Sequence, residues 1–189
     1  MGTIKTTNIQ SISGSGTVTL GVSGETFTVP SGVTVAGGLS NTPAFAAYLG
    51  SAQSFSDNTN TKIQCNTEKY DTNSAYDNSS NYRFTVPSGH AGKYYIHGGA
   101  YIYGSSDGIL QVTSVFLRLN GSTDINQSRL NRSGSETDDD ISHHTQAVLD
   151  LSAGDYVELW GYADTSSGNP FFSNSVLNTF FAGFKLIGS

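Results

Sequence analysis

Serine, histidine and aspartate side chains all occur in this 189-residue chain, so a nucleophile, a base and an orienting acid are available in principle. A hydrolytic serine sits on a Gly-x-Ser-x-Gly elbow leading into a helix, with its base in hydrogen-bond reach, and no Gly-x-Ser-x-Gly elbow of this chain precedes a helical pattern. The acids Glu136, Asp138, Asp139 and Asp140 crowd into one polar segment. A glycosidase needs two carboxylates held apart across a sugar, one with a raised pKa, whereas neighbouring loop acids stay solvated and ionised. No catalytic residue is assigned, and the chain reads as a non-enzyme.

The same acids suit a hard divalent cation such as Ca2+, whose ligands are carboxylate oxygens, although helix-loop-helix calcium spacing is missing. His143 and His144 are adjacent, so on a strand they point to opposite faces and cannot share one ion within a chain. Three copies of one of them around a threefold axis could do so. Asp138, Asp139, Asp140 and His144 are therefore the candidate cation ligands, set against a plain polar loop and a hydrogen-bonded surface histidine. No other cofactor is implied. Cys65 stands alone, which excludes an intrachain disulfide framework or a Cys/His zinc spacing and suits a small apolar filler.

Arg129 and Arg132 flank the acidic run within Asp124–His144, the longest polar interruption between apolar segments. Long loops on a rigid scaffold carry recognition, so Asp124, Arg129, Arg132 and Glu136 are the expected receptor-contacting residues. Tyr156, Trp160 and Tyr162 fall at alternate positions and would share one strand face. They offer a sugar-stacking platform or, as burial of large rings favours, packing in a core or interface.

Strands must position these residues. Hydrophobic residues make up 36% and charged residues 13%, so polarity comes from Ser, Thr, Asn and 22 glycines, the stock of short strands and tight turns. Ten Phe and ten Tyr argue against disorder. A net charge of −6 with no Lys/Arg cluster excludes nucleic acid as partner, because a phosphate-gripping protein needs a basic face. No run reaches the ~18 apolar residues of a membrane span, and the opening Met1-Gly2-Thr3-Ile4 stretch lacks the apolar core of an export signal.

The length fits one sizeable domain and a short appendage. Residues 1–41 read as brief alternating segments, Thr17–Leu20, Thr26–Val29 and Val33–Val35, none able to bury its apolar face alone. Three chains wound about one axis would cover those faces, so this stretch is expected to form an extended β stem intertwined in a trimer; the alternative is a Gly/Ser linker. The hexapeptide at Phe27–Gly32 recurs at Phe84–Gly89 without similar flanks, which is shared turn chemistry and no repeat. The head, residues 42–189, has expected strands at Ala44–Leu49, Thr61–Cys65, Arg83–Val86, Gly92–Tyr103, Gln111–Leu119, Thr145–Leu151, Asp155–Tyr162 and Asn178–Ile187. Short strands without helical periodicity predict an all-β sandwich.

Between Lys93 and Tyr103 both strand faces are apolar or aromatic, where an outer strand of a monomer would show one wet face. Tyr95, His97, Tyr101 and Tyr103, with Phe181 from the last strand, are therefore expected to meet another subunit across an obligate interface.

The order Asp71, Tyr76, Phe84, Gly92-Lys93-Tyr94-Tyr95-Ile96, then Leu117 to Gly121, then Leu149 to Leu159 through Gly154-Asp155-Tyr156, then Phe180 to Phe184 resembles the complement-one-q globular head of the tumour-necrosis-factor-like jelly-roll superfamily. It spans roughly Pro43 to Ile187, departing where two extra residues lengthen the turn between Phe84 and Gly92, and at Cys65, where Phe is usual. The resemblance implies a ten-stranded jelly roll that trimerises around aromatic faces, with both chain ends at the base and binding loops at the far end. The opening from Thr3 to Gly14 is similar in style to the starts of small virion proteins of tailed bacteriophages, where a short stem carries a host-facing head.

These readings together lead to a trimeric virion protein, a short fibre or capsid decoration spike. Ile4, Ile9 and Ile12 would attach it to other virion proteins of capsid or tail, and its head would adhere to a host surface glycan or protein. A cellular or secreted lectin-like protein of the same superfamily, and a capsid cement protein without receptor, are the alternatives.

Overall fold

The computed structural model describes Thr26 and residues 41–132, 137–174 and 177–187. The expected stem, with Ile4, Ile9 and Ile12, lies outside the described residues apart from Thr26 and Asn41, as does Glu136. The described chain holds thirteen strands: β1 Ala44–Tyr48, β2 Gln53–Ser54, β3 Thr61–Lys62, β4 Thr67–Asp71, β5 Tyr76–Asp77, β6 Arg83–Thr85, β7 Gly92–Tyr103, β8 Leu110–Leu119, β9 Thr123–Asn131, β10 Asp140–Leu151, β11 Tyr156–Thr165, β12 Phe171–Phe172 and β13 Phe180–Lys185. No helix occurs among the described residues.

All the pairings are antiparallel and form two sheets. The first runs β4-β1-β13-β7-β10. Its spine is β7, paired along its whole length with β10 from Gly92↔Leu151 to Tyr103↔Asp140. The other edge of β7 takes β13 at Tyr94–Gly99 and then β12 at Ile102–Tyr103. The second sheet runs β5-β6-β11-β8-β9, with β3 added to β11 at Trp160–Gly161.

Alternation along each strand sorts side chains into a shared interior and two outer faces. Phe45 from β1 stacks on Phe84 and Tyr76, with centroids 4.9 and 5.0 Å away, and meets Phe181 edge-on at 5.0 Å. The Tyr76 hydroxyl donates to the Cys65 carbonyl at 2.9 Å. Cys65 is a buried filler beside it, its thiol pKa pushed up by burial. At the other end Phe55 stacks on Phe172 at 4.1 Å. Glycine makes this closeness possible at Gly161, where a Cβ would come within 2.5 Å of the Phe172 ring.

Two expectations need correction. Phe181 was expected at a subunit interface, yet it is 1% exposed inside the sandwich, because alternation on β13 turns Phe180, Ala182 and Phe184 outward and Phe181 inward. The segment Asp124–His144 was expected to be a loop, yet Thr123–Asn131 forms β9 against β8, from Leu119↔Thr123 to Val112↔Asn131. An edge strand solvated on its outer side needs few apolar residues, so its composition resembles a loop's.

Candidate functional site

The outer face of the first sheet carries a continuous aromatic surface. On β7 the outward residues are Tyr95, His97, Gly99, Tyr101 and Tyr103, the alternate positions to the buried Tyr94, Ile96, Ala100 and Ile102. The facing residues on β13 are Phe180, Ala182 and Phe184. Tyr95 lies 5.6 Å from Phe184 and 5.5 Å from His97, and His97 lies 5.4 Å from Phe180, all as ring centroids. Further along, Tyr103 is 6.4 Å from Tyr101 and stacks on Phe171 at 5.5 Å. All these rings are only partly buried, with no further layer of this chain's described residues above them.

His144 reaches the same surface from β10. Its ring lies 5.8 Å from Phe180, over Gly99, where a Cβ would meet its Nδ1 at 2.6 Å. A side chain at position 99 would displace the imidazole. Burial, and then the neighbouring His144, hold the pKa of His97 below the ordinary histidine value, which favours its neutral form. The surface is bounded at one edge by Val148 of β10, 60% exposed. Toward β4 it sinks into a groove of about 420 Å³ lined by Ala46, Lys69, Tyr70, Leu177, Phe180 and Ala182.

His143 points the other way, into the sandwich, as adjacent positions on a strand require. Its Nε2 lies 2.8 Å from the Thr113 hydroxyl and its Nδ1 2.9 Å from that of Ser128. Burial, then His144, lowers its pKa. It is a structural group that fastens β10 to β8 and β9.

The acidic run does not converge. Asp138 accepts two hydrogen bonds from the Arg132 guanidinium, at 2.7 and 2.9 Å. Asp139 accepts the Gly108 amide, and Asp140 accepts the Tyr101 hydroxyl, which raises that phenol's pKa. Among the described residues no three His, Cys, Asp or Glu side chains gather to hold an ion. Asp124 is paired with Arg118 through Nε at 2.7 Å. Arg129 stands on β9, over the Tyr162 ring at 5.6 Å. Of the described receptor candidates, Asp124 and Arg129 thus lie along β9 and Arg132 just past its end. Tyr156, Trp160 and Tyr162 do share one face, the outer face of the second sheet, where they are partly covered by cations. Phe180 and Phe184 of the aromatic face were not among the expected site residues, although alternation along the last strand sets them on the face opposite Phe181.

No protein-family model and no curated protein matches this sequence. Solved structures do. The globular domain of zebrafish complement 1qA is 16% identical, with a TM-score of 0.53, covering 76% of this chain and 97% of that one. The Eiger TNF of S. frugiperda is also 16% identical, with a TM-score of 0.54 and coverage of 77% and 93%. Murine APRIL at pH 5.0 is 14% identical, with a TM-score of 0.53 and coverage of 76% and 98%. The head therefore has the jelly-roll sandwich fold of these proteins.

Proposed function

We propose that this chain is a non-enzymatic binding head that acts as a homotrimer, carried by residues 1–41 on the particle of a tailed bacteriophage as a short fibre or decoration spike. The observation that carries the trimer is the aromatic face of Tyr95, His97, Phe180, Phe184, Tyr101 and Tyr103. Large rings left half-covered over a whole sheet face mark an interface, since monomers rarely expose contiguous apolar patches of this kind. The face is also asymmetric, with exposed Val148 at its β10 edge and the groove at its β4 side. A projection at one edge and a recess at the other suit head-to-tail contacts, which close into a ring when the rotation allows.

Trimerisation would multiply weak contacts. Three sites on one stem make later binding events intramolecular, so modest affinity for a host surface glycan or protein gives stable attachment. A lectin-like extracellular protein is the second reading. It is favoured by the animal complement and TNF structures that share the fold, and it differs from the first in what residues 1–41 attach to. A capsid cement protein would share the trimer and lack a receptor.

Sedimentation of the full chain tests the common element. The expected mass is three times the 20.0 kDa of one chain, and Phe180→Glu is expected to yield folded monomers. A monodisperse single subunit for the unaltered chain overturns the proposal. Labelled protein adhering to host cells separates a receptor-binding spike from cement.

A further inference from the structure

The outer face of the second sheet holds an arrangement that the aromatic interface does not use. Each outward ring of β11 carries a cation. Arg83 lies over Tyr156 at 4.0 Å, Arg118 over Trp160 at 4.3 Å with Lys62 5.8 Å from the same ring, and Arg129 over Tyr162 at 5.6 Å. Strand register sets these pairs. Glu158 stands between Arg83 and Arg118, Trp160 between Lys62 and Phe116, and Tyr162 next to Ser114, which in turn faces Arg129.

Charge is concentrated here. The chain has nine Lys and Arg residues and a net charge of −6, yet four of the nine, including three of its four arginines, share this one face. Carboxylates border them, among them Glu158, Asp124, Asp77, Asp164 and Asp57. Glu158 is ion-paired with Lys62 at 2.6 Å and accepts the Trp160 Nε1–H at 2.9 Å. Asp124 is taken by Arg118, and Asp77 accepts the amides of Ser79, Ser80 and Asn81. Asp164 follows Tyr162 by two positions at the end of β11. Among the described residues neither Arg83 nor Arg129 has a carboxylate partner.

A guanidinium held over a ring and lacking a carboxylate partner still has N–H donors to offer in a forked bond to a carboxylate or sulfate. The Ser114 hydroxyl, 0% exposed and in the row between Tyr162 and Arg129, has no hydrogen-bond partner. Buried polar groups without partners are rare, and this one is in register with the exposed Arg129. From the row of Arg83 to that of Arg129 is four residues along β11 and three strand spacings across, roughly 19 Å in all, a reach that suits a polymer more than one small anion.

We propose that this face binds an acidic polysaccharide, with its carboxylate or sulfate groups held by Arg83 and Arg129 and its sugar rings lying along Tyr156, Trp160 and Tyr162. The inference rests on the adhesive reading above and names the class of ligand.

Dextran sulfate, polygalacturonate and neutral dextran, each titrated against the full-length protein at about 0.15 M salt, provide the test. Binding of at least one acidic polymer, weakening with salt, and none of dextran are expected, and the two acidic arms tell sulfate from carboxylate preference. The R83Q/R129Q double variant should lose about tenfold in affinity with unchanged oligomeric state and thermal stability. Lys93→Gln, which removes a cation near Asp150 on the other sheet, should change affinity less than twofold. Failure of both acidic polymers, equal binding of dextran, or equal loss in Lys93→Gln overturns the inference. A trimer that binds neither polymer leaves the adhesive head standing and removes only its proposed ligand.

Discussion

His143 makes the pH response of this head predictable at the level of one side chain. Its pKa is lowered in the folded state by burial and then by His144, and that of His97 is lowered in the same way. Above about pH 6.5, the unfolded value, both states are neutral and the two histidines add no pH dependence. As pH falls below that value the unfolded chain takes up protons first, so stability declines until pH passes the lower folded value. Thermal melts from pH 7.5 to 5 should therefore show a falling Tm, with a shallower slope in His143→Gln. At pH 7.5, His143→Ala should cost on the order of 2–4 kcal/mol, because the Thr113 and Ser128 hydroxyls lose their partner. Ser114→Ala should do the reverse. It removes a buried hydroxyl that has no partner, and about 1 kcal/mol of stabilisation in a denaturant titration is expected.

The packing of whole strands depends on where a glycine admits a side chain from the facing layer. Gly161→Ala would drive a methyl into the Phe172 ring, and a loss of about 1–3 kcal/mol is expected from overpacking. Phe45→Ala, which empties the centre of the stack with Tyr76, Phe84 and Phe181, should cost about 3–5 kcal/mol. Both are read from chemical denaturation midpoints. The long apolar strands β7, β8, β11 and β13 were legible in the sequence, because alternation of Val, Ile, Leu, Phe and Tyr declares a strand with one buried side. β9, with Asp124, Asn126, Gln127 and Arg129, was not. It pairs through backbone atoms with β8, and although Ile125 packs against the core, its polar side chains face water or groups such as the Gln146 carbonyl, which accepts from Asn126 at 2.6 Å. Its hydrogen bonds, which make it a strand, leave no trace in residue type.

Across the whole molecule the proposed trimer and the cation-bearing face are separate surfaces on separate sheets, so one can be altered without the other. Removal of residues 1–38 should leave a trimeric head that no longer joins the particle, and particle incorporation of the truncated chain measures this. Retained incorporation would count against a virion role for that segment. The two-faced aromatic character of Lys93–Tyr103 was visible as spacing alone, and it led to Tyr95, His97, Tyr101 and Tyr103. Which rings of the last strand joined them was not settled by spacing, because Phe180 and Phe181 are equally apolar.

Periodicity, turn chemistry and the order of aromatic and glycine positions determined an all-β sandwich of this class, because alternation encodes a strand's faces within a few neighbouring residues. Only the tertiary structure decided which face is inside. It turned Phe181 inward and Phe180 outward and fixed His143 between hydroxyls from two other strands. It also set Arg83, Arg118 and Arg129, up to 46 residues apart in the chain, over the rings of β11. Those outcomes depend on the register between strands distant in sequence, which no local pattern of residues specifies.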